Sequence, residues 1–401
     1  RNNVNTSTGA SSIRGAVYGN VITMMNCKVI GNTASLNIFN GAVNNQGYGA
    51  GIVGTRITLT NTIVSGNTLS ISVGGPNTNF NISAKGGGIF GTNVVLTNCI
   101  VSKNSVSTSF GTNVNGNISS FGGGVYADTV QMINSLVANN AIFAVKQDPS
   151  SSATITALGG GIHGVSVLEN SILWNNTKGI DSGVTLLPSE QEMGSLTARF
   201  SVIMNQNPAG TSNVDGTAST FGNASFVDQT NSNFALKSGS ALLNAGNNSY
   251  NSTTIDLKGD VRKVGTIDIG PYESNFSGKD YVSAAATYYF NEASTASTQD
   301  GLSWATAYNS LNDYFYIQDK SNISKIYVAK GMYNTQGALE FITPLELYGG
   351  YDATSNLPTA ELSIIDVEQN GRVIHSTKKL DVHNCAIQGG LVFANVYSAA
   401  V

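Results

Sequence analysis

The chain repeats one pattern of apolar and polar positions. The segment GGGIFGTNVVLTNCIVSKN at residues 86–104 recurs in altered form at 49–67, 122–140 and 159–176, and more loosely at 15–32. The last glycine of the opening triplet lies at 51, 88, 124 and 161, so the steps are 37, 36 and 37 residues. Such a fixed period is typical of a solenoid, in which each turn buries its apolar side against its neighbours.

Two columns of the repeat are apolar in every copy. Counted from a shared Asn, the residue two positions earlier and the residue three positions later are always Met, Leu or Val. Arg56 to Thr60 alternates with the period of two that is typical of a strand, and no copy has the 3.6-residue spacing of a helix. Lys28 replaces an Ile or Leu in a third column, so we expect that column to face solvent in at least one turn. The pattern predicts an all-β parallel β-helix.

The shared Asn predicts a corner between strands. Its members are Asn26, Asn61, Asn98, Asn134, Asn170 and, in a later copy, Asn384. Asn adopts left-handed backbone angles readily, and amides stacked about 4.8 Å apart can bond one another as a ladder. A second column, which we expect at the next corner, holds Asn32, Asn67, Asn104, Asn140 and Asn176. A ligand bound by these amides is the alternative interpretation.

The residue after each corner Asn is small and weakly polar. This column holds Cys27, Thr62, Cys99, Ser135, Ser171 and Cys385, and we expect it to point inward. Cys27 and Cys99 would lie two turns apart, roughly 10 Å, which is beyond disulfide reach. The three histidines share no ligand spacing with the cysteines. We therefore predict free structural thiols and neither a metal nor a cofactor. The glycine triplets lack the spacing of a phosphate loop.

Composition excludes several classes of partner. Charged residues make up 11% of the chain, and the net charge is −4 with a pI near 5.4. These values argue against nucleic acid or an anionic membrane as the partner. We find no apolar run of about 20 residues, so we expect no membrane-spanning segment. The sequence begins at Arg1 within the repeat pattern, so we expect the chain to be part of a longer protein.

Polar segments separate the copies of the repeat. Residues 70–84, 105–120 and 141–157 are rich in Asn, Ser, Thr and Gly and leave the repeat at the same point. We predict that they are loops on one side of the solenoid. Such a wall of loops either carries a binding function or shields a sheet edge.

Later segments resemble a known family. Residues 226–273 include FVD, NFAL, GSALLNAG, DLKGDVR and TIDIGPYE. They resemble the closing segment of bacterial pectin-lyase-like surface proteins of the choice-of-anchor type, although Asn244 and Pro271 depart from the commonest family letters. Residues 288–366 include YYFNEA, DGLSWATAY, IYVAKGMY, LYGGYD and IID, which resemble the opening of the same proteins. Residues 380–387 then form a fresh copy of the repeat.

The resemblance implies a right-handed parallel β-helix in tandem modules. Residues 1–274 would hold the turns and C-terminal cap of one module, 275–280 a short joint, and 281–401 the N-terminal cap and first turns of the next. Ser303 is predicted to begin a capping helix. Its apolar face would hold Trp304, Ala307, Tyr308, Leu311 and Phe315.

The acidic residues do not form a catalytic pattern. Glycoside hydrolysis needs two carboxyl groups about 5 to 9.5 Å apart. The acids of the first 176 residues, Asp128, Asp148 and Glu169, fall in different columns or in a loop. The later acids Asp256, Asp260, Asp268 and Glu273 match the closing segment, where we expect them to tie turns together. We therefore predict no catalytic residue.

Three functions remain open at this point. The first is a non-catalytic structural or adhesive surface protein, whose partners are neighbouring β-helix modules and surface glycans. The second is a carbohydrate-binding or polysaccharide-degrading β-helix with its active face elsewhere, and the third is a phage-type fibre shaft. Aromatic residues stacked on one outer face would favour sugar binding. The resemblance implies secretion to a bacterial cell surface through a type IX route.

Overall fold

The structure of the protein is a computed structural model. It describes residues 2–5, 12–39, 44–74, 78–111, 114–146, 154–180, 187–188, 192–229, 233–274, 276, 279–281, 285–317, 320–335, 337–367 and 372–390. Residues 275, 277 and 278 of the predicted joint, and Asp148, lie outside this set.

The chain is a parallel β-solenoid of about nine turns, which confirms the predicted fold class. It divides into two compact units. Unit 1 holds residues 1–221 and 241–273, and unit 2 holds residues 222–240 and 274–401.

Unit 1 is built from four sheets, which we number in the order the chain visits them within one turn. The strands of sheet 1 are Val17–Tyr18, Val21–Met25, Ile52–Val53, Arg56–Thr60, Ile89–Phe90, Asn93–Thr97, Val125–Ile133, Ile162–Glu169, Glu192–Met193, Leu196–Arg199 and Gly210–Thr211. The strands of sheet 2 are Lys28–Ile30, Ile63–Ser65, Ile100–Ser102, Leu136–Ala138, Ile172–Trp174 and Val202–Ile203.

Sheets 3 and 4 complete each turn. The strands of sheet 3 are Asn2–Asn5, Thr33–Phe39, Thr68–Gly74, Ser105–Phe110, Ala141–Lys146, Thr177–Ile180 and the antiparallel Leu187–Pro188. The strands of sheet 4 are Ser12–Arg14, Asn44–Tyr48, Thr78–Lys85, Val114–Phe121 and Thr154–Leu158. The register follows the sequence repeat, so that Val64 pairs with Val101 and Leu59 with Leu96.

The apolar columns of the repeat form the core between sheets 1 and 2. Leu59, Leu96, Val64 and Val101 are fully buried, as the pattern predicted. The third column changes along the solenoid, because Lys28 is exposed whereas Ile172 is fully buried.

The predicted polar loops are strands of sheets 3 and 4, and that prediction was wrong. They enclose a second apolar core, which includes Leu69, Ile71, Phe80 and Ile82. In the strand Thr68–Gly74 every second side chain is buried, while the intervening side chains are half-buried. The alternation Leu-Ser-Ile-Ser-Val is visible in the sequence. The high content of Ser, Thr and Asn concealed it, although such residues suit the outer face of a strand.

Unit 2 repeats the architecture on a smaller scale. Its largest sheet holds Thr287–Phe290, Lys325–Ala329, Leu345–Asp352, the antiparallel Leu357–Pro358 and Leu380–His383. Two smaller parallel sheets hold Gly331–Asn334, Ser363–Asp366 and Cys385–Gln388, and Leu339–Phe341 with Ile374–Ser376. The strands Phe226–Asp228 and Asn233–Leu236 form an antiparallel pair.

The single capping helix predicted after Ser303 is two short 3₁₀-helices, Trp304–Thr306 and Leu311–Tyr316. Tyr308 lies between them and makes a strand-like bridge with Phe290, because its amide donates to Tyr289 O at 3.1 Å. Tertiary pairing thus overrides the helical spacing. Within the described residues, two other helices are present, the α-helix Phe221–Ser225 and the 3₁₀-helix Asn248–Tyr250.

Candidate functional site

The first Asn column lies at the corner between sheets 1 and 2, with an equivalent in unit 2. All six residues adopt left-handed backbone angles, with φ between 46° and 55°: Asn26, Asn61, Asn98, Asn134, Asn170 and Asn384. A side chain with a Cβ is strained in this region, and Asn is strained least. The backbone of the corner therefore explains why the repeat keeps Asn here.

The side chains of this column form pairs instead of one run. Asn98 Nδ2 lies 2.6 Å from Asn61 Oδ1, and Asn170 Nδ2 lies 3.0 Å from Asn134 Oδ1. Asn134 Nδ2 donates to Asn251 Oδ1 at 2.7 Å. The Asn134 amide, which could connect the second pair to the first, therefore donates to another part of unit 1.

Residues 247–257, which we call the strap, run along this column. Asn247 exchanges two hydrogen bonds with the Asn170 side chain, at 2.8 and 3.0 Å, and Ile255 O lies 3.3 Å from Asn98 Nδ2. Exchanging the amide oxygen and nitrogen of Asn98 lets it donate to Pro271 O and accept from Leu257 N, each at 3.0 Å. In either orientation Asn98 bonds to this part of the chain. The strap thus satisfies corner amides of three consecutive turns.

The second Asn column forms the continuous ladder. The distances from Nδ2 to the next Oδ1 are 2.9, 2.8, 3.0 and 2.9 Å along Asn32, Asn67, Asn104, Asn140 and Asn176. The left-handed residue of this corner is the one before the Asn, for example Gly66 or Lys103. The four asparagines from Asn67 onward are fully buried.

The three interior amides of this ladder, at Asn67, Asn104 and Asn140, are saturated by their surroundings. Asn104 Nδ2 donates to Asn140 Oδ1 at 3.0 Å and to Val64 O at 2.9 Å. Its Oδ1 accepts from the backbone N of Asn67 at 3.0 Å and from Asn67 Nδ2 at 2.8 Å. Because an amide offers two donors and about two acceptor positions, these bonds use its full capacity. The hydrogen-bonding groups of these amides are therefore used within the protein itself.

The small column forms a third series of contacts between turns. Cys99 N donates to Ser135 Oγ at 3.0 Å, and Ser135 N donates to Ser171 Oγ at 3.1 Å. Each hydroxyl donates in turn to the carbonyl two residues before it, as Ser135 does to Ile133 at 2.8 Å. Cys27 N lies 3.4 Å from Thr62 Oγ1. These side chains bridge turns of unit 1.

The three cysteines are free. Burial raises the pKa of Cys99 to about 12 and that of Cys385 to about 11. Both thiols are therefore protonated at neutral pH and poor nucleophiles. In the described part of the chain no group of three or more His, Cys, Asp or Glu side chains is placed to hold a metal ion.

The two described acids of the early turns, Asp128 and Glu169, lie at different register positions of neighbouring strands. Glu169 is buried and pairs with Arg199 at 2.9 Å, whereas Asp128 is exposed. The ion pair crosses from one strand of sheet 1 to the next, since Glu169 and Arg199 are in register. Its position explains it as a cross-strand pair.

The acids of the closing segment tie backbone turns together. Asp256 accepts from the amides of Lys258, Asp260 and Glu273 at 2.8, 2.9 and 2.9 Å. Arg262 is fully buried, donates to Asp268 O and Gly270 O, and lies 3.7 Å from Glu273. Burial, with the nearby Asp268 carboxylate, raises the pKa of Glu273 to about 7.

An aromatic column lies on the outer side of sheet 1, where sheet 4 meets it. Phe90 and Tyr126 stack at 5.4 Å, and Tyr126 and His163 at 5.0 Å, with interplanar angles of 9° and 11°. Lys85 Nζ lies 4.9 Å from the centre of the Tyr126 ring. Burial lowers the pKa of His163, and the Lys85 charge adds to that effect. The signal was present in the sequence, because these residues stand two positions after each glycine triplet.

A second aromatic column lies on the largest sheet of unit 2. Tyr289, Tyr327, Tyr348 and His383 stack in register at 5.3, 5.1 and 4.8 Å, with interplanar angles of 12° to 15°. Their sequence spacing is irregular, so the sequence could not reveal the column. Trp304 stands beside it at 66° to the Tyr289 ring, and its indole donates to Asn356 Oδ1 at 2.6 Å.

The stacked rings offer little surface to a sugar. A sugar binds an aromatic side chain by lying on the ring face, but both faces of Tyr126, Tyr327 and Tyr348 are covered by neighbouring rings. Offset stacking of this kind contributes about 0.5 to 1.5 kcal/mol per pair beyond the burial of area. The columns therefore act as contacts between turns. Trp304 lies beside this column, at 66° to the Tyr289 ring, and is itself stacked on Tyr351 at 6.1 Å.

Comparisons with known proteins leave the chain without an assigned relative. No family model, curated protein or solved structure matched it. In the portion of the chain that the structure describes, no helix has the length and apolar character needed to cross a membrane.

Proposed function

We propose that the protein is a non-catalytic structural part of a secreted bacterial surface protein, in which the solenoid acts as a stiff, load-bearing shaft. The observation that carries this proposal is the buried ladder from Asn32 to Asn176, which links five consecutive turns through side-chain amides. The small column and the stacked rings link three of these turns at two further places. Side chains that recur in each turn are thus used to hold turns together.

The partners and location of the proposed shaft follow from the family resemblance. Neighbouring β-helix modules of the same chain or filament would extend the shaft. If the protein is adhesive, it would bind surface glycans or another cell. Export by a bacterium, through a type IX route, belongs to the same proposal. The resemblance rests on the closing and opening segments at residues 226–273 and 288–366.

Single-molecule pulling on the full chain tests the mechanical role. The bonds of the buried ladder hold adjacent turns together, so Asn104→Ala should lower the force at which unit 1 unfolds. Asn81→Ala removes an amide from an exposed ladder in the same unit and should leave that force nearly unchanged. Equal unfolding forces for the original protein and both variants would contradict the proposal.

Glycan binding at Trp304 is a second candidate. The ring lies beside the tyrosine column with Tyr351 stacked on it at 6.1 Å. Its partner Asn356 follows the exposed Ser355 in the sequence, and the Ser355 hydroxyl donates to the Asp352 carboxylate. An aromatic face next to polar groups suits a sugar ring. The half-burial of Trp304 leaves part of its surface free for such a contact.

A glycan array probed with the full chain tests this candidate. Binding that is lost in Trp304→Ala and kept in Tyr126→Ala would support a site in unit 2. Tyr126 is the matched control, because both of its ring faces are covered in the stack of unit 1. Binding that survives Trp304→Ala, or no binding at all, would reject the Trp304 site.

A further inference from the structure

A lysine, an asparagine and an aspartate meet near the start of the second part of unit 2. Lys279 Nζ lies 2.9 Å from Asn309 Oδ1, and 2.8 and 2.7 Å from the two oxygens of Asp313. The Lys279 and Asp313 side chains are only 14% and 4% exposed. Because both charged side chains are largely excluded from water, this contact differs from an exposed surface ion pair.

Aromatic rings pack around Tyr281, which contacts Asp313. Tyr281 donates to Asp313 Oδ1 at 2.7 Å and stacks on Tyr308 at 5.5 Å. Phe276 and Tyr316 pack edge to face at 4.9 Å, and each also contacts the Tyr281 ring. Tyr281 and Tyr308 are themselves buried. Asp313 therefore lies beside a cluster of aromatic rings, while the backbone N of Asn309 donates to Gln299 Oε1 at 3.2 Å.

We propose that Lys279 and Asn309 form an intramolecular isopeptide bond, with Asp313 as the group that moves the protons. The C=O bond is only about 1.2 Å long, so Asn309 Cγ lies within about 4 Å of Nζ. Reacting atoms held about 3 to 3.5 Å apart gain the advantage of an intramolecular reaction. A change in the side-chain torsions of Lys279 that turns Nζ from Oδ1 toward Cγ brings the two reacting atoms to that distance.

The reaction balances without any further reagent. The Lys279 ammonium gives one proton to Asp313, and the neutral amine attacks Asn309 Cγ. A bond forms between Nζ and Cγ, the bond between Cγ and Nδ2 breaks, and the nitrogen leaves as ammonia after receiving the proton from Asp313. Asp313 then takes the second proton from Nζ and passes it to the ammonia, which leaves as ammonium, so that Nζ keeps one hydrogen and Asp313 is a carboxylate again. No atom is oxidised or reduced. The product is a secondary amide that links two side chains 30 positions apart.

The surroundings favour each stage of this reaction. The Lys279 and Asp313 side chains are only 14% and 4% exposed, so little bulk water reaches the atoms between which the protons move. Burial and the adjacent Asp313 carboxylate raise the pKa of Tyr281, which keeps its hydroxyl protonated as a donor to Asp313. The backbone N of Ser310 also donates to Asp313 Oδ2, at 3.2 Å. Asp313 is thereby held in place.

Mass spectrometry of the purified full chain tests the proposal. The intact mass should fall short of the sequence mass by one ammonia, about 17 Da. A proteolytic digest should contain one branched peptide that joins Lys279 to Asn309. Lys279→Arg and Asn309→Ala should each restore the full mass and abolish the branched peptide.

Two controls separate this bond from other events. A succinimide at Asn309–Ser310 also loses ammonia, but it would persist in Lys279→Arg and give no branched peptide. Asp313→Asn keeps the volume of the side chain and should leave Lys279 and Asn309 unlinked in a chain that still unfolds cooperatively. A folded original chain with Lys279 and Asn309 in separate peptides, or a branched peptide that survives Asp313→Asn, would overturn the proposal.

Discussion

Replacing Asn104 by Ala tests the energetic role of the buried ladder. The Asn104 amide makes four hydrogen bonds, to Asn67, Asn140 and Val64, in a fully buried position. A neutral hydrogen bond contributes about 0.5 to 1.5 kcal/mol net, and a buried group left without a partner costs about 1 to 3 kcal/mol. Some partners keep another bond, since Asn67 Nδ2 still donates to Val29 O. We therefore expect a loss of about 3 to 5 kcal/mol.

Asn81→Ala is the matched control for this change. Asn81 also bridges turns, accepting from Asn117 and donating to Asn44 at 3.0 Å each, but it is exposed. Water can replace its lost partners, so the expected cost is below about 1 kcal/mol. The two substitutions remove the same chemical group from the same unit. They differ mainly in burial.

Denaturant unfolding followed by tryptophan fluorescence measures both effects. The chain has two tryptophans, and Trp174 is buried in unit 1. A Trp304→Phe background makes the signal report on unit 1 alone, which avoids mixing the transitions of two units. Equal shifts of the midpoint for Asn104→Ala and Asn81→Ala would refute the idea that burial gives the ladder its strength.

Three further outcomes are expected. Leu96→Ala should lower the unfolding free energy by about 2 to 5 kcal/mol, because Leu96 is fully buried in the first core. Val21 lies in the same sheet but is 70% exposed, so Val21→Ala should change the unfolding free energy by less than about 0.5 kcal/mol. Equal effects of the two substitutions in a denaturant titration would contradict the placement of the core. Cys99 should react with a thiol reagent only on global unfolding, whereas the partly buried Cys27 should react earlier. Mass spectrometry measures the labelling of each cysteine. Early labelling of Cys99 would argue against its burial. Glu273 has a folded-state pKa of about 7, above its unfolded value, so its contribution to stability is present at low pH and is lost as the pH rises to about 7. Glu273→Gln should flatten that part of the pH profile of stability, and an unchanged slope would count against the raised pKa.

The sequence by itself determined the fold class and the position of the corners. A period of 36 to 37 residues with apolar columns requires stacked turns, because each turn can bury those columns only against its neighbours. Asn at a fixed place in each copy indicated left-handed backbone angles, which the structure has at Asn98 and its equivalents. These are local properties of the chain, and the repeat amplifies them.

The tertiary structure alone decided which asparagines form the continuous ladder. Both columns carry the same residue, but the strap reaches Asn98, Asn134 and Asn170 and takes hydrogen bonds that a ladder would use. The strap lies far from these residues in the sequence, so no local pattern could predict its contacts with them. The same reasoning applies to Tyr308, whose pairing with Phe290 breaks the predicted helix.

The site proposed for covalent linkage also depends on the three-dimensional packing. Lys279, Asn309 and Asp313 belong to no repeat and carry no spacing that marks a reaction. Their meeting requires the strand bridge of Lys279 with Gln299 and the 3₁₀-helix Leu311–Tyr316 with its Ser310 cap. A repeating sequence specifies stacking because each contact recurs with the period. Contacts that occur once are set by the packing of distant segments, and only the folded chain brings them together.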